Sequence, residues 1–191
     1  MKAFVLVCAL LFGAPAHALR IDNMEFADRM KLGGQELVLN GVGFRAVLVY
    51  KGYAAALWLP QRASTAAQVQ AVAGPKRLQM RMLVDVPAPE FSKAFNKGVR
   101  RNTPATEQAA LAGRMAKFDA QILALQTVKK GDVVDLDYLP DAGGLTMRVN
   151  GRARGEAIPG DEFYAALLRV FIGHKVSDDE LRAGLLGGPA R

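Results

Sequence analysis

Arg45 lies inside the otherwise apolar run V-G-F-R-A-V-L-V of residues 42–49. A guanidinium keeps its charge at any pH the fold survives, so it must snorkel to water, pair, or face a ligand. Tyr53 follows in the next apolar run and offers a hydroxyl on an apolar body. The two are candidates for the polar end of an apolar pocket. The alternative is a snorkelling strand arginine beside a core tyrosine. A second charged feature is basic: Lys93, Lys97, Arg100 and Arg101 share one face of an expected helix, either as a solvated face or as an anion-binding surface.

Other chemistries are excluded by residue counts. The only cysteine, Cys8, and one of the two histidines, His17, lie in the first 18 residues. That stretch has a basic start at Lys2, a short apolar run and an A-H-A pattern, the marks of a secretory signal peptide with a cut between Ala18 and Leu19. Residues 19–191 would then form one domain, periplasmic or secreted. They carry no cysteine for a disulfide, a thiol nucleophile or a thiolate metal site. His174 alone cannot build a multi-histidine metal site, so no metal and no cofactor are expected. It sits in F-I-G-H-K, a helix end where a cationic imidazole is favoured by the helix dipole. No phosphate-cradling or dinucleotide-binding glycine motif is present.

The formal net charge of +7 and the pI of about 9.8 point to anionic partners or to plain solubility. A secreted location argues against nucleic acid. After the signal no apolar run reaches the roughly 20 residues needed to span a bilayer.

The elements that must position these residues follow from periodicity and punctuation. Residues 19–32 form a lead-in strand or arm, and Gly33-Gly34 is a turn. Residues 35–60 read as two strands joined at Lys51-Gly52 and ended by Pro60. Gly41 and Gly43 mark a bend or a close backbone approach. Residues 64–73 form a small helix stopped by Gly74-Pro75. Residues 76–86 alternate as a half-buried strand with Leu78, Met80, Met82 and Val84 on one side. Pro87 and Pro89 open a helix to about Arg101 whose apolar face is Phe91, Ala94, Phe95, Gly98 and Val99. A second helix runs to about Thr127 with Leu111, Met115, Phe118, Ile122 and Leu125 in one stripe. Strands at 133–138, 145–149 and 152–158 form a meander, with Asn150-Gly151 a strong hairpin signal. A helix over 159–172 ends at Gly173. Ser177 and Glu180 make a capping box for the last helix. Strands linked by hairpins predict a largely antiparallel sheet in an α+β fold.

Several stretches together resemble the chalcone isomerase-like family: G-V-G-F-R at 41–45, K-G-Y-A-A-A-L-W-L-P at 51–60, K-K-G-D-V-V-D-L-D-Y-L-P at 129–140, M-R-V-N-G at 147–151 and F-Y-A-A-L-L-R-V-F-I-G at 163–173. The likeness is greatest to a secreted bacterial branch. It implies an open-faced antiparallel sheet with helices packed on one face and a ligand cleft between them. In the family's isomerases an arginine after a Gly-x-Gly-x pattern acts on the substrate, and Arg45 matches it. The next strand carries threonine in those enzymes and tyrosine in the fatty-acid-binding members, and Tyr53 matches the binders. Cleft positions that are Tyr, Lys and Asn in the enzymes align with Phe91, Ala94 and Gly98, one helix face turned apolar.

The resemblance implies a non-catalytic cleft for a small amphiphilic or aromatic acid. Arg45 and Tyr53 would hold the carboxylate, and Met80, Met82, Phe91, Ala94, Phe95 and Gly98 would line the tail. An alternative is a chalcone-type isomerase using Arg45 electrostatically. A third is an envelope interaction module using the basic helix face.

Overall fold

The computed structural model describes residues 18–21, 24–47 and 50–189. The expected signal peptide, apart from Ala18, lies outside them. The strands are β1 (Ala18–Ile21), β2 (Met24–Ala27), β3 (Arg29–Leu32), β4 (Gln35–Val47), β5 (Tyr50–Leu59), β6 (Lys76–Met82), β7 (Val86–Pro87), β8 (Thr127–Val128), β9 (Val133–Leu139), β10 (Gly144–Val149) and β11 (Arg152–Ala153). The α-helices are α1 (Ala66–Ala71), α2 (Ala88–Asn102), α3 (Ala105–Leu123), α4 (Asp161–Ile172) and α5 (Asp179–Leu185). Seven strands form one antiparallel sheet in the order β11-β10-β9-β6-β5-β4-β3. β1-β2 and β7-β8 are small separate ribbons.

Two apolar cores sit on the two faces of the sheet. The larger joins Ala55, Leu57, Leu78, Met80, Leu136 and Met147 to the buried sides of the helices. The smaller closes Phe26 and Leu32 over Leu37, Leu39, Val42, Phe44 and Trp58. Trp58 Nε1 also donates to the Ala27 carbonyl at 2.9 Å, which holds β2 over that face.

The long strand β4 changes phase in the middle. Leu37 and Leu39 face the smaller core, and so do Val42 and Phe44. Strict alternation forbids this, because residues an odd number apart point to opposite faces. The register shift between Leu39 and Gly41 supplies the missing step, leaving Asn40 as an extra residue. Its buried side chain is satisfied from both ends: Nδ2 donates to the Leu185 carbonyl and Oδ1 accepts from the Ala63 amide, each at 2.7 Å. The bulge thereby turns Gly41, Gly43 and Arg45 towards the helices.

The two glycines are where α5 lies on the strand. A Cβ on Gly41 would stand 2.1 Å from the Gly184 carbonyl oxygen, and one on Gly43 would stand 2.6 Å from that of Leu181. The close backbone approach expected from the sequence is this contact.

The β4–β5 turn differs from expectation. Residue 52 is not a turn but part of β5, which begins at Tyr50. Arg45 pairs with Tyr53 and Ala46 with Lys51, so Gly52 is the extra residue of a second bulge. Glycine signals both features, and only strand pairing separates them. The last helix is also capped one residue later than expected. Asp178, not Ser177, is its N-cap, its Oδ1 accepting from the Leu181 amide at 2.9 Å. The third meander strand is short, ending at Ala153, with Ile158 returning to bridge Leu145. Asn150 and Gly151 do form the hairpin, at φ 52° and 77°.

Candidate ligand-binding site

β4 and β5 place Arg45 and Tyr53 directly opposite each other in an antiparallel pair, so both side chains stand on the helix-covered face. Met82 of β6 pairs with Tyr53 on its other side. Above them, α2 buries Ala88, Ser92, Phe95 and Val99 in the core. The expected apolar face is therefore split. Phe95 and Val99 belong to the buried stripe, while Phe91, Ala94 and Gly98 lie along its edge, one helical row over.

Between this edge and the sheet is a cavity of about 540 Å³. Arg45, Tyr53, Phe91, Ala94 and Phe95 all line it. Val84, Phe118, Val170, Phe171, Val176 and Leu181 add apolar wall. Asp85, Glu90, Ser177 and Asp178 are among its polar lining. A smaller recess of about 230 Å³ adjoins it, sharing Arg45, Glu90, Ala94, Val170 and Ser177. Gly98 lines this recess rather than the larger cavity. Its missing side chain lets α4 close on α2, since a Cβ there would stand 2.5 Å from Val170 Cγ1.

Met80 and Met82 are corrections to the expected site. They lie in the main core at 0% and 2% exposure and do not line this cavity. Alternation put them on the right face of the sheet. Packing then covered them with helices, which period-2 patterning does not register. Val84, beyond the end of β6, is exposed and lines the cavity instead.

Arg45 is a quarter exposed and is already engaged. Its Nη1 donates to the Ser177 carbonyl at 2.8 Å and meets Asp178 Oδ2 at 3.4 Å. Neither contact uses the Nε–Nη2 edge. That edge is the one through which Arg77 grips Asp137 elsewhere in this protein, at 2.5 and 2.6 Å. It fits a carboxylate side-on with two parallel hydrogen bonds.

Burial pushes the Tyr53 hydroxyl well above its ordinary 10.0; Arg45 pulls it down, and Asp178 pushes it up again. The phenol is therefore a neutral donor at physiological pH, suited to a hydrogen bond with an anionic oxygen.

Asp178, Ser177 and Val170 also line the cavity, and nothing in their sequence context marks them as site residues. S-D-D-E at 177–180 shows a helix cap. Nothing in the spacing says that the Asp178 carboxylate meets a strand residue 133 positions earlier. Arg77 and Asp137 were also unremarked. They form a buried ion pair on the opposite face, away from the cavity.

A chalcone isomerase-like family model matches residues 18–187. The chain belongs to that family. Among curated proteins none matches its sequence. A solved structure of the family's fold, the fatty-acid binding protein of Arabidopsis thaliana, aligns with a TM-score of 0.63 at 14% sequence identity. The alignment covers 90% of this chain and 96% of that one. At that identity the likeness establishes the fold: an open antiparallel sheet with helices packed over it.

Proposed function

We propose that this family member is a non-catalytic binder of a small amphiphilic acid, its tail in the cavity of about 540 Å³ and its headgroup at Arg45 and Tyr53. The observation that carries this reading is the facing Arg45–Tyr53 pair in the lining of a cavity that Phe91, Phe95, Phe118 and Phe171 also wall, with Asp85, Glu90 and Asp178 among its polar residues. Aromatic and aliphatic walls give a tail dispersion contacts and remove it from water, worth about 25 cal/mol per Å² of apolar surface buried. They leave phenolic hydroxyls of a polyphenol substrate without partners, which costs about 1–3 kcal/mol for each. The fatty-acid binding activity named for the Arabidopsis relative supports the same ligand class.

We further place the protein in a secreted bacterial branch of the family, acting in the periplasm after removal of residues 1–18. This rests on the leader pattern of Lys2, the apolar run and A-H-A at 16–18. A mature N-terminus at Leu19, read from protein isolated from the cell envelope, is the expected result.

The binding test is calorimetric titration with saturated fatty acids of increasing length. Affinity is expected to rise with length until the cavity is full. Arg45→Ala removes the headgroup contact and Ala94→Trp fills the tail space, so each abolishes binding while circular dichroism stays native. Folded wild-type protein that binds no acid of the series overturns the reading.

A further inference from the structure

We infer that the headgroup this site is built for is doubly charged, a phosphate monoester rather than a carboxylate. The inference rests on the tail-and-headgroup reading above. It comes from where the charges sit.

Inside the larger cavity Arg45 is the one cation among the described lining residues, and Asp85, Glu90 and Asp178 line it too. A headgroup drawn inward meets more carboxylate than guanidinium. The adjoining recess reverses this balance. Arg45, Lys93, Lys97, Arg101 and Lys175 line it, opposed by Glu90. Arg45 belongs to both spaces while Tyr53 lines only the first, so a head held at Arg45 between them also meets the cations of the second.

The cations come from three parts of the chain. Lys93, Lys97 and Arg101 follow one another at four-residue steps, a single stripe along α2. Like charges at that spacing destabilise a helix. The helix dipole favours Arg101, in the last turn, but gives no such support to Lys93 or Lys97. Lys175 arrives from beyond α4 and is fixed there by Asn102. Asn102 Oδ1 accepts from the Lys175 amide at 2.8 Å, while Nδ2 donates to the Gly98 and Lys175 carbonyls at 3.0 and 3.2 Å. The recess is therefore assembled by tertiary contact, and the α2 stripe forms one wall of it.

A carboxylate offers one charge and two acceptor oxygens to this set. A phosphate monoester offers roughly 1.5 to 2 charges and three terminal oxygens. It can face Arg45 and the lysine ammoniums of the recess together, and lysine serves phosphate well as a point charge.

The test is calorimetry with dodecyl phosphate, dodecanoate and inorganic phosphate, each below its micelle concentration, on the wild type and on a Lys97→Gln/Arg101→Gln double variant. Both substituted side chains are exposed, and a melting curve checks that the variant folds. Dodecyl phosphate is expected to bind about tenfold more tightly than dodecanoate. Inorganic phosphate is expected to bind far more weakly than either, because it has no tail. The double variant is expected to lose the preference for phosphate. Equal affinities for the two dodecyl acids, or a preference that survives in the double variant, overturn the inference. So does inorganic phosphate binding as tightly as dodecyl phosphate, which would make the recess a free-phosphate site. If neither dodecyl acid binds, the tail cavity itself is misread, and the failure belongs to the proposed function instead.

Discussion

Asp178 serves two elements at once: its Oδ1 caps α5 through the Leu181 amide at 2.9 Å, and its Oδ2 meets Arg45 Nη1 of β4 at 3.4 Å. One carboxylate thus ties the helix that lies on Gly41 and Gly43 to the cation in the cavity lining.

A double-mutant cycle on this pair should give a coupling of about 1 kcal/mol in unfolding free energy. Asp178→Ala costs more than Arg45→Ala, because it also removes the helix cap, itself worth about 1 kcal/mol. Urea unfolding of the two single variants and the double variant measures both. Purely additive effects would show that the 3.4 Å contact contributes nothing.

Gly43→Ala should destabilise the fold by about 1–3 kcal/mol. Its Cβ would press on the Leu181 backbone, which cannot move aside as a flexible side chain would. Gly113→Ala, in the interior of α3 with nothing within 4 Å, should instead stabilise by about 0.5–1 kcal/mol. The urea midpoints of the two variants should therefore move in opposite directions from wild type.

Asp137→Ala leaves the Arg77 guanidinium, 16% exposed, without its main partner and should cost about 3–5 kcal/mol. Replacing both residues, as Arg77→Met with Asp137→Leu, should recover most of that loss, since a buried ion pair owes much of its apparent strength to the cost of a lone charge. A double variant no more stable than Asp137→Ala would argue that the pair contributes net stability.

Alkaline pH should weaken the fold through Tyr53 and Tyr164. Burial raises both hydroxyls above the ordinary 10.0, so the folded state holds their protons longer than the unfolded chain does. Their contribution is complete below pH 10.0 and falls away as pH rises beyond it. Phenolate absorbance from these two residues should appear at higher pH than that of a free tyrosine. Tyr53→Phe should flatten the stability profile above pH 10.0 while leaving it unchanged near neutrality.

Acid should act through Asp132. The Asn150 side chain donates to one oxygen and the Lys129 amide to the other, each at 2.8 Å, and they hold its carboxyl below 3.8. That stabilisation is present above pH 3.8 and is lost as pH falls further. Asp132→Asn should remove this part of the acid dependence in a thermal-melt series from pH 2 to 6, a range set by the usual carboxylate titration of about pH 4.

Sequence alone determined the local features. Leu78, Met80 and Met82 alternate because a strand buries every second residue. Asn150 and Gly151 accept positive φ, so they turn the chain. Gly41 and Gly43 lack side chains where another backbone must come close, and a lone arginine in an apolar run must meet something. Tertiary structure decided the rest. It made Gly52 a bulge instead of a turn, because pairing with β4, not residue type, fixes where a strand begins. It covered Met80 and Met82 with helices and left the edge of α2 open. It brought Asp178 to Arg45 in the cavity lining and Lys175 to the recess that Arg45 also lines, each across more than a hundred residues of chain. Periodicity reports which way a side chain points from its own backbone; what waits there depends on elements that carry no trace of one another in their spacing.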